Sequence, residues 1–138
     1  MLRRNRTSMA VTIRPRRLSE PATSGGASGT LNVYRGTPPA SGVSSAPLQS
    51  PPAGQDPSAL GVGNLNGGGP LDAVVTDRAA NQIRLYRGTG SGSFEQPQAP
   101  LSTGTSPNGL LLADLDSDGR DDIATTNAGN GSLTVFLS

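Results

Sequence analysis

Between Leu110 and Asn127 the chain reads LLLADLDSDGRDDIATTN, and its carboxylates are regularly spaced. Asp114, Asp116, Asp118 and Asp122 stand at positions 1, 3, 5 and 9 of one short loop, with Gly119 at position 6. Calcium is a hard cation that gathers about six to eight oxygen ligands, and alternate residues of a tight loop point side chains at one centre. Gly119 suits the sharp turn, where a Cβ would be strained at positive φ. The carbonyl of Arg120, at position 7, would add a backbone ligand. The plainer alternative is a solvated acidic turn between two strands.

The elements around the loop decide which kind of calcium loop this is. An EF-hand needs a bidentate Glu at position 12 and helices on both sides. Here position 12 is Thr125, and the flanks LLLA (110–113) and IATT (123–126) are short apolar or β-branched runs. Such runs read as strands. The spacing predicts strand, calcium loop, strand.

Composition narrows the function classes. The 138 residues contain no His and no Cys, and all basic residues are Arg. A Ser-His-Asp or Cys-His catalytic arrangement is therefore impossible, as are a disulfide framework and a Cys-based zinc site. No apolar run approaches the about 20 residues of a membrane span. Aromatic content is 3%, and 19 Gly and 12 Pro leave little material for a compact core.

Residues 1–28 read as a disordered, Arg-rich N-terminal segment. Arg3, Arg4, Arg6, Arg14, Arg16 and Arg17 face only Glu20 in charge, and no apolar core of a secretory signal accompanies them. Nucleic-acid binding there would rest on charge alone, with no aromatic interleaving, so no nucleic-acid partner is expected. Residues 29–58 hold a short strand around TLNVY (30–34) and a Pro/Ser/Gly-rich connection with one edge strand near Val43–Leu48.

The rest of the chain repeats. PSALGVGNLNGGGPLDAVVTDRAANQIRLYRG (57–88) aligns without a gap on PNGLLLADLDSDGRDDIATTNAGNGSLTVFLS (107–138), and LNVYRGT (31–37) matches IRLYRGT (83–89) as a third, partial copy. Each unit reads as strand, loop, strand, Asn/Gly turn, strand and a weaker fourth strand. In the complete copy these fall at about 59–64, 71–77, 82–87 and 93–103. No segment has helical periodicity with caps. The fold class is all-β, with about two and a half four-stranded antiparallel blades of a β-propeller: a partial one within 29–58, one at 59–106, and a truncated one at 107–138. Tyr34, Tyr86 and Phe136 share one repeat position and read as strand core packing.

ADLDSDGRDDIATTN with its leading PNGLLL, and YRGTGSGSFEQPQAP after it in the repeat, resemble the FG-GAP family, also called VCBS-type repeats, of integrin α-chain propellers and many bacterial surface proteins. The resemblance covers about residues 29–138. It implies a calcium loop between the first and second strands of a blade, with Asp114, Asp116, Asp118, the Arg120 carbonyl and Asp122 as ligands. Asp121 falls off that pattern and is expected at its periphery or in solvent. In the earlier loop Asn64, Asn66 and Asp72 remain as oxygen donors, but Gly68 replaces a carboxylate, so that loop is expected to bind metal weakly or not at all.

The function expected from these features is a non-catalytic, calcium-stabilised module for binding or adhesion, extracellular or at the cell surface, with a protein or carbohydrate ligand. The alternative is the scaffold portion of a larger propeller enzyme or lectin. Asp77 and Glu95 read as isolated carboxylates in solvated loops, and no nucleophile–base pair can be assembled. Propellers typically need about 4–8 blades to close. The chain is therefore expected to be a fragment, a marginal open array, or a protomer that closes a ring as a homo-oligomer.

Overall fold

The run DAVVTD (72–77) is apolar or β-branched at successive rather than alternate places, which suits a strand covered on both faces. A computed structural model describes residues 9–14, 29–35 and 46–138, and these form three antiparallel sheets with no helix among the described residues. The first sheet is β1 (Met9–Arg14), β2 (Gly29–Arg35) and β3 (Pro52–Gly54). The second is β4 (Pro57–Gly63), β5 (Asp72–Asp77), β6 (Gln82–Tyr86) and β7 (Leu101–Ser102), in chain order. The third is β8 (Pro107–Ala113), β9 (Asp122–Asn127) and β10 (Ser132–Phe136).

The sequence repeat is a structural repeat. The pairing registers of β4, β5 and β6 correspond to those of β8, β9 and β10, down to a shared irregularity between Pro57 and Ala59 and between Pro107 and Gly109. The turns after β5 and β9 also correspond. Asn81 at φ 54° and Gly131 at φ 63° close them, residue types that tolerate the left-handed region. The LNVYRGT match places β2 opposite β6, so β1 is the counterpart of β5 and β3 of β7. The packing agrees, since β1 lies against β4 as β5 lies against β8, and β4 lies against β8.

Period-2 alternation then sorts the core. Ala73, Val75 and Tyr86 point to the first sheet and join Leu31, Val33, Ala53 and Phe94 in one cluster, with Leu60 against it. Val74 and Ile83 point the other way and meet Ile123, Leu110, Leu112 and Phe136 of the third sheet. This is why all six residues of β5 are buried. Gly61 lets the sheets approach, because a Cβ there would overlap the side chain of Leu112.

The structure departs from the sequence reading in three places. Met9–Arg14 form a strand within the segment expected to be disordered; MAVTIR carries Val11, Thr12 and Ile13, and β2 offers it an open edge. The remainder of that segment, residues 1–8 and 15–28, lies outside the described residues. The edge strand expected near Val43–Leu48 falls partly outside them as well; β2 instead pairs with Gln49 and with β3. The fourth strand expected at 93–103 is reduced to Leu101–Ser102 and a bridge between Gly88 and Phe94. Pro97 and Pro100 lack the N–H that a longer ladder requires.

Candidate functional site

The loop from Asp114 to Asp122 joins β8 to β9. Its turn needs left-handed backbone at Ser117 (φ 67°) and Gly119 (φ 87°). The Asp114 carboxylate organises that turn. Oδ1 accepts the N–H of Ser117 at 2.6 Å and of Asp118 at 3.2 Å, and Oδ2 accepts that of Gly119 at 2.9 Å. Asp116 accepts a single N–H, from Asp118, at 3.2 Å. Asp122 is fully buried; Oδ2 accepts the N–H of Leu115 at 2.8 Å and Oδ1 that of Ser138 at 2.9 Å. The hydrogen bonds from Ser138 and then Leu115 hold its carboxyl below the usual carboxylate range, against the opposing effect of desolvation.

Of the four expected carboxylates, the structure gathers three. Asp114, Asp116 and Asp122 each present a carboxylate oxygen within 4.8 Å of the others. Asp118 is turned aside, 3.8 Å from the Arg120 Nε, while its Oδ1 accepts the Arg120 N–H at 2.8 Å. The Arg120 side chain lies over Gly67 of the preceding loop. The gathered set fits a hard cation. Each carboxylate group retains acceptor capacity beyond the N–H groups it receives, and two of the three groups are open to solvent.

The preceding loop, Asn64 to Asp72, has the same backbone with different chemistry. Gly67 (φ 76°) and Gly69 (φ 97°) repeat the left-handed positions of Ser117 and Gly119, and Asn64 Oδ1 accepts the Gly68 N–H at 3.1 Å as Asp114 accepts that of Asp118. Its one carboxylate, Asp72, is buried, and its oxygens accept the N–H groups of Leu65 and Gly88. Asp72 and Asp122 thus fasten the same two points in successive repeats: the start of the loop and the residues just past the third strand. The acid at position 9 is structural whether or not the rest of the loop is acidic.

Two carboxylates are corrected by their surroundings. Asp121 does not face solvent; it is half-buried, its Oδ2 accepts the N–H of Asn64 at 2.7 Å, and its own N–H donates to the Asn64 carbonyl at 2.8 Å. Asp77 is fully buried rather than solvated. It accepts the N–H groups of Gln55, Asp56 and Ala80 and lies 3.7 Å from Arg84 Nη2. Its place at the end of a run of buried β residues was the available signal. Glu95 is exposed.

Among the aromatics, Tyr86 is fully buried and donates its hydroxyl to the Pro52 carbonyl at 2.6 Å. Burial raises its pKa to about 12; Arg84 opposes the shift and Asp77 adds to it. Tyr34 and Phe136 are half-buried. Phe94, which the repeat alignment leaves without a role, is a core residue whose backbone is gripped by the Gln49 side-chain amide through two bonds of 2.7 Å.

No curated protein and no solved structure matches the chain. Residues 64–125, a span that runs from the Asn64 loop through the acidic loop and into β9, match the FG-GAP-like repeat. Over that span the chain is similar to the FG-GAP-like repeats.

Proposed function

We propose that the chain is a non-catalytic, calcium-stabilised β-propeller repeat module that serves binding or adhesion at the cell surface or outside the cell. The observation that carries the calcium reading is the convergence of Asp114, Asp116 and Asp122 within 4.8 Å on a turn whose backbone is already set. Bound there, the cation would offset the mutual repulsion of the carboxylates and fasten the end of β8 to the start of β9, coupling metal binding to stability. The propeller reading is supported by the packing of β1 on β4, repeated as β5 on β8, and by the equivalent strands β4 and β8 lying against each other. A non-catalytic role is supported by the lack of His, Cys and Lys and by the structural use of Asp72, Asp77 and Asp121. The surface location rests on the kinship of such repeats with surface proteins and on the calcium levels found there.

The test is a calcium titration by calorimetry on the whole chain beside Asp116→Ala. Asp116 is the variant of choice because it accepts only one N–H, so its loss leaves the turn in place. One site that raises the melting temperature and vanishes in the variant supports the reading. No heat of binding and no thermal shift would sink it.

A further inference from the structure

Three Asn-Gly pairs occur in the chain: Asn66-Gly67, Asn108-Gly109 and Asn130-Gly131. In each, the glycine has no side chain to shield its backbone nitrogen from the neighbouring carboxamide carbon. The structure separates the three. Asn108 lies in β8, where Gly109 pairs with Thr126 and the amide oxygen accepts the Thr126 hydroxyl at 3.1 Å. The Asn130 amide oxygen accepts the Ser132 hydroxyl at 2.8 Å. Asn66 is exposed, and among the described residues neither its amide nor the Gly67 N–H makes a hydrogen bond.

Exposure at this place is a property of the repeat. Asn66 stays exposed with the following loop seated beside it through Asn64 and Asp121. Its counterpart Asp116 is exposed with the preceding loop in place. Neighbouring units on either side therefore leave the position open to water.

We propose that Asn66 is a site of spontaneous covalent modification, converted by way of Gly67 into an aspartyl or isoaspartyl residue. Asparagine is among the thermolabile residue types. The Gly67 nitrogen bonds to the Asn66 Cγ, the bond from Cγ to the amide nitrogen breaks, and ammonia leaves with the proton that Gly67 gives up. Water then opens the cyclic imide at either carbonyl, its hydroxyl going to the carbon and its proton to the nitrogen. Opening at one carbonyl places a carboxylate where the next loop carries Asp116, in a loop whose own acid is Asp72. Opening at the other routes the main chain through the side-chain carbon and lengthens it. That insertion falls between Asn64 and Gly68, where the Gly68 N–H donates to Asn64 Oδ1 at 3.1 Å to shape the turn. Asn64 is also the residue on which Asp121 of the next loop is seated. The modification acts at the joint between two units, and it requires no metal.

The experiment stores the full chain in warm, mildly alkaline buffer and follows each Asn-Gly pair by peptide mass mapping. Labelling by an isoaspartate-specific methyltransferase is the second readout. Asn66 is expected to convert about tenfold faster than Asn108 or Asn130, whose amides must first give up a hydrogen bond. Gly67→Ala is expected to slow the conversion. The stored chain is expected to lose urea midpoint relative to fresh protein, whereas Asn66→Gln, whose longer side chain closes the ring poorly, keeps it. No conversion at Asn66, or conversion of Asn108 or Asn130 at an equal or faster rate, overturns the assignment of the site. An unchanged midpoint in the stored chain, or an equal loss in Asn66→Gln, overturns its action at the joint.

Discussion

Asn64 and Asp121 bond each other twice: the Asn64 N–H donates to the Asp121 carboxylate at 2.7 Å, and the Asp121 N–H to the Asn64 carbonyl at 2.8 Å. The pair joins the first residue of one loop to the eighth position of the next, so the acidic loop is seated on its predecessor. Gly63 makes room for it, since a Cβ there would lie 2.6 Å from Asp121 Oδ2.

Asp121→Ala removes the acceptor and leaves the Asn64 N–H without its partner. A charged acceptor on a half-buried amide implies a loss of about 1–3 kcal/mol. Urea unfolding of the variant should show that shift in midpoint, and Gly63→Ala should move it in the same direction.

A larger cost is expected at Asp77. Its carboxylate satisfies the N–H groups of Gln55, Asp56 and Ala80 and neighbours Arg84 while fully buried. Asp77→Ala strands those donors and the cation together, for a loss of about 3–5 kcal/mol. The measurement is the same unfolding curve, and a loss below that of Asp121→Ala would contradict the assignment.

Alkaline pH should unfold the protein through Tyr86. Burial favours its neutral form, raising the folded pKa from 10.0 to about 12. The stabilisation is complete below the unfolded value and is lost as pH rises from about 10 toward 12. Tyr86→Phe, which keeps the ring and gives up the bond to Pro52, should be less stable at neutral pH. Melting temperatures recorded from pH 8 to 12 should also show a shallower alkaline decline for that variant.

Asp118 lies outside the three gathered carboxylates and 3.8 Å from the Arg120 Nε. Exposed ion pairs of this kind are worth about 0.2–1 kcal/mol. Under the calcium reading, Arg120→Ala should therefore raise affinity up to about fivefold. Asp118→Ala should cost less affinity than Asp116→Ala. Calorimetry on the three variants orders them.

What the sequence disclosed was whatever its own repetition encoded. Pro57 on Pro107, Leu65 on Leu115 and Asp72 on Asp122 established the register of two units, and the positions of β4 to β6 and β8 to β10 followed to within two residues. Features that depend on contacts between units were not visible. Asp121 looked surplus because its partner Asn64 lies far back in the chain, and Asp77 looked isolated because its donors are backbone groups of a loop. Phe94 sits in a Gly/Ser-rich stretch that reads as linker; only the position of Gln49 shows it to be core. At the acidic loop the spacing located the turn, whereas no spacing rule specifies that Asp118 lies beside Arg120 instead of with the other three carboxylates.

Because β5 is covered by the first sheet through Ala73 and Val75 and by the third through Val74, its burial is shared between two neighbours. Neither contact alone desolvates the strand, so the middle unit gains its full stability only after both flanking units have docked. Folding energy in such an array resides in nearest-neighbour terms rather than in the units themselves. Amides of Ala73 to Thr76 would then exchange with solvent only through global opening, whereas those of β10, shielded from one side, would exchange through local fraying.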